Sequence, residues 1–200
     1  LTIDYKKMIW ENWGFNVKIA PTMDSTLKQS VGSEDLLLNM DGLVSLNWSG
    51  VKTISKFDFG ISYNTYLGQP QFLPIINYNL LIEDKWNISL GFPETRLERK
   101  INERNIISTN ASASGSYSNV SSSILFNGID SLTNTKLVFN DFDFGLEYLY
   151  RIQPNFTASM KSGYSLVENF NIQDKEDEIR YNFEPNGSIY FSMGLKYNLK

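Results

Sequence analysis

Eight ionisable residues stand on the polar phase of alternating segments. Asp58, Asp143 and Glu147 oppose Lys161 and Lys196, and Arg96, Glu98 and Lys100 join them if Leu97 and Ile101 face the other way. Charges withdrawn from water need partners, so both signs in one phase predict a structural network of ion pairs. A proton or ion path is the sharper alternative for the same residues. Catalytic chemistry finds little else to use. The 200-residue chain has no histidine and no cysteine, which removes Ser-His-Asp and Cys-His nucleophile systems and zinc sites built on imidazole or thiolate. A carboxylate or lysine base is conceivable, but no constellation marks one. Asp174-Lys175-Glu176-Asp177-Glu178 could offer oxygens to Ca²⁺, yet it lacks the loop glycine and ligand spacing of a dedicated site and reads as a solvated loop. Gly128-Ile129-Asp130 and Gly187-Ser188 have turn chemistry rather than that of a phosphate cradle. The sequons at Asn110, Asn119 and Asn155 read as packing. The expectation is a protein that is not an enzyme, with no cofactor and no metal.

Two hundred residues fit one all-β domain, taken as 1–200. Apolar residues make up 42%, aromatics 14%, and mean hydropathy is −0.28. This is too rich in aromatics for disorder and too polar for a helical membrane protein. Apolar runs such as Leu36-Leu37-Leu38 and Leu80-Leu81-Ile82 fall far below the roughly 20 residues a spanning helix needs. The net charge of −4 comes without a basic stripe, which argues against a nucleic-acid partner. The sequence opens at Leu1 without Met, a basic n-region or an apolar h-region, so any signal peptide is expected to have been removed or never present.

Strands are expected throughout. In Phe142 to Tyr150 the even positions are aromatic or aliphatic while Asp143, Gly145 and Glu147 share the other face, with Leu149 as the exception. After Ile152-Gln153-Pro154-Asn155 the pattern resumes at Phe156, Ala158, Met160, Tyr164 and Leu166, which predicts a hairpin. The same alternation recurs at Phe57–Tyr63, Trp86–Phe92 and Ile189–Leu199. Ten strands are predicted, at about 12–22, 36–49, 54–66, 72–82, 86–92, 95–102, 105–124, 139–150, 155–166 and 187–199, with eight as the alternative. Short connections at 50–53, 83–85 and 152–155 roughly alternate with longer polar ones near 23–35, 127–138 and 168–187, as in closed up-and-down outer-membrane barrels.

Period-2 strands fit two environments with the faces exchanged. A soluble lipocalin-like barrel wets its polar face, which then carries many charged residues and threonines. Here that face is mostly Gly, Ser and Asn, which suits the crowded interior of a narrow barrel. On the apolar face Trp86, Tyr63, Tyr66, Tyr148, Tyr150, Tyr164 and Tyr197 fall near strand ends, with Leu, Ile, Met and Phe towards the middles. That is the distribution of interfacial aromatic girdles.

The stretch Trp86 to Asn105, WNISLGFPETRLERKINERN, followed by the small-residue strand Ile107 to Tyr117, resembles an uncharacterised outer-membrane β-barrel family common in Bacteroidota. Gly91-Phe92-Pro93 with Arg96 and Leu97, then Asn102-Glu103-Arg104, form the core of the likeness. The resemblance implies a transmembrane β-barrel in the bacterial outer membrane and no particular reaction. One departure is the ending Tyr197-Asn198-Leu199-Lys200, where many such barrels finish on an aromatic residue.

Three roles are consistent with these residues. The first is a non-catalytic outer-membrane barrel acting as a structural or accessory subunit of an envelope complex. Its partners would be outer-membrane lipid and other outer-membrane or periplasmic proteins, docked through the wall or through the apolar loop Gln69–Pro74. The second is a narrow pore or small-ligand barrel, and the third a soluble lipid-binding barrel.

Overall fold

In a computed structural model, which describes residues 2–26, 32–126 and 130–198, the alternating segments form fourteen strands. They are β1 (Ile3–Met8), β2 (Trp13–Met23), β3 (Leu36–Ser49), β4 (Thr53–Asn64), β5 (Gln71–Ile82), β6 (Trp86–Phe92), β7 (Glu94–Lys100), β8 (Asn105–Val120), β9 (Ile124–Phe126), β10 (Asp130–Leu132), β11 (Thr135–Gln153), β12 (Phe156–Gln173), β13 (Ile179–Asn182) and β14 (Ser188–Tyr197). A short 3₁₀ turn at Ser33–Asp35 precedes β3. Each strand pairs antiparallel with its neighbour in chain order, except that β9 and β10 form their own hairpin, so β8 pairs directly with β11. Strands β13 and β14 both pair with β12, at different heights. Eight strands, then β11, β12 and the shared β13/β14 column, therefore make an up-and-down meander of eleven columns.

All ten predicted strands are present, and β1, β9, β10 and β13 correct the count upward. Their signals are weak for physical reasons. Strand β1, IDYKKM, breaks its alternation at Lys6-Lys7; β9 and β10 have three residues each; β13 is cut off from β14 by Phe183-Glu184-Pro185-Asn186-Gly187. Strands β6 and β7 form a hairpin that turns at Phe92-Pro93, joined by a cis peptide bond. The predicted turn at Gly128-Ile129-Asp130 and the terminal Leu199-Lys200 fall on, or run into, residues outside the described ones. No ladder joins β1 to β14 among the described residues.

Which face is buried is clear. Asp58 is 6% exposed and Ser62 0%, whereas Ile61 is 56%, Phe144 53% and Leu146 60% exposed. The small polar face is covered and the apolar face is open, the reverse of a soluble half-buried sheet.

The sheet covers that polar face by rolling. Asn119 at the end of β8 donates its backbone N–H to Asp24 just after β2 at 2.9 Å, and Thr26 donates to Asn119 at 3.1 Å. Six strand spacings separate β2 from β8, about 29 Å if the sheet were flat. A cavity of about 330 Å³ has Lys18, Asp41 and Asn64 on one side and Ser114 on the other. Curvature this tight needs glycine on the concave face: a Cβ on Gly60 would lie 2.0 Å from the Gly42 carbonyl oxygen, and one on Gly91 2.1 Å from that of Ile76. Gly42 itself has nothing within 4 Å of the same position.

The contrast is testable. Gly91→Ala should destabilise by about 1–3 kcal/mol or prevent folding, while Gly42→Ala should stay within about 0.5 kcal/mol of the parent. Urea titration followed by tryptophan fluorescence measures both, and equal midpoints would refute the close-approach account.

Candidate functional site

The concave face is a chain of polar contacts between adjacent strands. On β3 and β4, Ser45 donates to Asp58, whose other partner is Lys56 at 2.8 Å, and Ser62 donates to Asp41 while accepting from Asn64. On β5 and β6, Ser89 donates to Asn77 at 2.9 Å. Further round, Ser114 of β8 and Ser165 of β12 both donate to Asp141 of β11, at 2.5 and 2.8 Å. Short hydroxyls that bridge neighbouring strands give the carboxylates of Asp41, Asp58 and Asp141 donors within a narrow interior.

The eight charged residues predicted to form one network divide into groups. Arg96, Glu98 and Glu147 do meet. The Arg96 guanidinium lies 2.6 Å from Glu147, 3.6 Å from Glu98 and 4.0 Å from Glu94, and donates to Ser108 at 2.8 Å. Asp58 belongs to a separate pair with Lys56, and Lys100 turns outward along the β7–β8 connection to Glu103 at 2.9 Å. Asp143 lies level with Ser112 and Ser165 and forms no ion pair among the described residues. Lys161 is level with Glu147 but, with Arg96 occupying that carboxylate, stands over the Tyr190 ring at 5.3 Å instead. Lys196 lies level with Thr157 and has no ion pair among the described residues. Leu97 and Ile101 are exposed, as the phase of Arg96, Glu98 and Lys100 requires. The sequence reading missed Lys56 and Glu94, which sit two residues from their partners on the same face and were legible from the alternation.

Tyr190 fills a slot cut by glycine. A Cβ on Gly163 would lie 2.6 Å from its hydroxyl oxygen, and one on Gly145 2.9 Å, so the ring crosses two strands only because both side chains are absent.

The two ends differ. At the long-connection end the Thr65–Pro70 segment folds over the concave face: Gly68 meets Val138, Thr65 donates to the Gly115 carbonyl at 3.3 Å, and Gln69 donates to Gln173 at 2.6 Å. This corrects two expectations. Gln69-Pro70 is tucked inward rather than held out as a docking loop, and Gln71–Pro74 belongs to β5. Tyr66 packs edge-on against Phe92, within that segment rather than in a girdle. Beside it, the Asp35 carboxylate accepts from Asn119 Nδ2 at 2.7 Å and from the Gly32 N–H at 2.8 Å. Hydrogen bonds from Ser25, Asn119 and Gly32 hold its pKa down at about 2. The acidic run is tied by Asp174, which accepts from the N–H groups of Glu176 and Glu178 and pairs with Arg180 at 2.5 Å. No three acidic groups gather for a metal among the described residues.

At the short-turn end the polar face opens into a cavity of about 320 Å³, lined by Arg96, Arg104, Glu147, Arg151 and Lys196 above Ile106 and Leu149. Around the same rim the outer wall carries Trp10, Trp13, Trp48 and Trp86, all four tryptophans of the chain. Trp48 stacks on Tyr78, and Arg99 lies over the Trp86 ring at 4.9 Å.

These features define an all-β protein: a rolled, antiparallel, up-and-down sheet with a polar interior. The chain belongs to the family described as Domain of unknown function (DUF6268), whose model matches residues 1–198. No curated protein and no solved structure matches it.

Two outcomes follow from the site. Glu147→Gln leaves Arg96 without its nearest carboxylate and should cost about 1–3 kcal/mol, whereas Asp143→Asn should cost under about 0.5 kcal/mol. Chemical denaturation compares them, and the reverse order would show that the Arg96 pairing is not what holds β7, β8 and β11 together. The second concerns Asp35. Its folded pKa of about 2 lies below the ordinary 3.8, so its stabilisation is full above the ordinary value and is lost as pH falls through about 2. Amide exchange at Asn119 should accelerate over that acid range and in Asp35→Asn at neutral pH. Unchanged protection in the variant would show that the carboxylate does not hold the Asp24–Asn119 clamp.

Proposed function

We propose that this chain is a non-catalytic integral β-barrel of the bacterial outer membrane that serves as a structural or accessory subunit of an envelope complex. The observation that carries the reading is the inverted sheet: an exposed wall of Leu, Ile, Phe and Met backs a covered face made mainly of Ser, Asn and Asp, with a few apolar residues such as Leu73, Ile75, Val138 and Ile172 among them. In water such a wall would be a large aggregation-prone surface, while in lipid it is the expected outside of a barrel. The four tryptophans on one rim fit an interfacial girdle there. Closure of the rolled sheet belongs to the same reading, because an open edge in hydrocarbon would leave backbone groups without partners.

A scaffold role is favoured over a conducting pore by the interior itself. Hydroxyl–carboxylate contacts link its strands, Tyr190 lies across two of them and Thr65–Pro70 folds over one end. A soluble lipid carrier would need the apolar face inside.

The membrane reading predicts that unheated protein migrates differently from heated protein in detergent gels and stays with washed membranes in carbonate. Release by carbonate alone would overturn it. Planar bilayers should show no stepwise conductance. Steady single-channel steps would replace the scaffold role with the pore. Purification in mild detergent should bring down a stoichiometric envelope protein.

A further inference from the structure

The short-turn cavity collects cations beyond what its structure uses. Arg96 is committed to Glu147 at 2.6 Å. Arg104, Arg151 and Lys196 line the same space and form no ion pair among the described residues, although Glu103 on the neighbouring turn feels Arg151 weakly, after Lys100. The hydroxyls of Thr157 and Ser159 face the cavity without a hydrogen bond among the described residues. Four cations line the cavity against one lining carboxylate; with Glu98 and Glu94, which also reach Arg96, the surplus is one positive charge, in a chain whose net charge is −4. Arg104, Arg151 and Lys196 are exposed at the mouth of the cavity, and like charges gathered in one concavity repel unless an anion joins them.

We infer that this cavity binds a phosphate group. Two uncommitted guanidiniums offer forked donors matched to phosphate oxygens, and Lys196 adds a compact charge. Thr157 and Ser159 supply neutral donors for the remaining lone pairs. Ile106 and Leu149 give the floor an apolar patch, so a phosphate ester has somewhere to rest its carbon portion. Leu149, which breaks the alternation of Phe142–Tyr150, is on the concave phase at this point.

The inference does not depend on where the protein resides, since it is tested on the purified full chain in detergent. Calorimetric titration with inorganic phosphate at constant ionic strength should show saturable binding, weakened about tenfold or more in Arg151→Gln/Lys196→Gln. Far-ultraviolet circular dichroism and tryptophan fluorescence of the double variant check that it is folded, and Lys18→Gln, in the other cavity, should bind as the parent does. Mixed detergent micelles containing phosphatidic acid, compared with micelles containing phosphatidylcholine alone, separate the sources. Competition by the acidic micelles against inorganic phosphate assigns the site to a lipid headgroup; binding of inorganic phosphate without such competition assigns it to the free ion or a soluble ester. If the parent binds neither, binds chloride as well as phosphate, or matches the folded double variant, the inference is wrong.

Discussion

Ser45, Asp58 and Lys56 meet on the concave face, as do Asp41, Ser62 and Asn64, and these contacts show what the chain must satisfy everywhere. A carboxylate that leaves water needs donors close by. Here the donors come mainly from the next strand, so the polar side chains have to be short and the sheet curved. Glycine then becomes obligatory where the curve is sharpest, at Gly60 and Gly91. The apolar residues face outward as a consequence, because alternation leaves them no other side. Polar pairing, curvature and an apolar exterior are thus one constraint expressed three times.

That constraint explains how much of the fold is legible in the sequence. Phe57 to Tyr63 and Phe142 to Tyr150 fixed strand identity and face because their alternation is long and clean. Ten of the fourteen strands followed from such runs. Where the pattern is short or interrupted the signal fails, as in the three-residue β9 and β10 and the doublet-broken β1. The inward fold of Thr65–Pro70 left no mark, since a loop's direction depends on residues far along the chain such as Gly115 and Gln173.

The charged residues were legible as a set and not as pairs. Phase placed Arg96, Glu98 and Glu147 on one face, yet it could not say that Arg96 would take Glu147 and leave Lys161 to an aromatic ring. Register decides this: Glu147 lies level with both Ser108 and Lys161, and the reach of Arg96 from β7 settles the competition. The surplus at the short-turn rim was hidden for the same reason. Arg104 and Arg151 are turn residues by sequence, and only the register through β8, β11, β12 and β14 brings them to one cavity with Lys196.

Strand direction sets a last condition on the proposed barrel. Eleven antiparallel columns put β1 and β14 in the same direction, so a seam between them would be parallel, with slanted hydrogen bonds and slightly less stability per residue. Single-chain bacterial barrels have even strand numbers, which close antiparallel. An even number arises here if β14 meets β2 directly, and β2 presents that edge to β1 over Ile3–Met8. The two closures make opposite demands on β1. In the first it is a wall strand with both edges hydrogen-bonded, and in the second it leaves the edge of β2 altogether. All six of its side chains are exposed, so little packing opposes its departure, and the ladder to β2 is the main interaction that holds it in place.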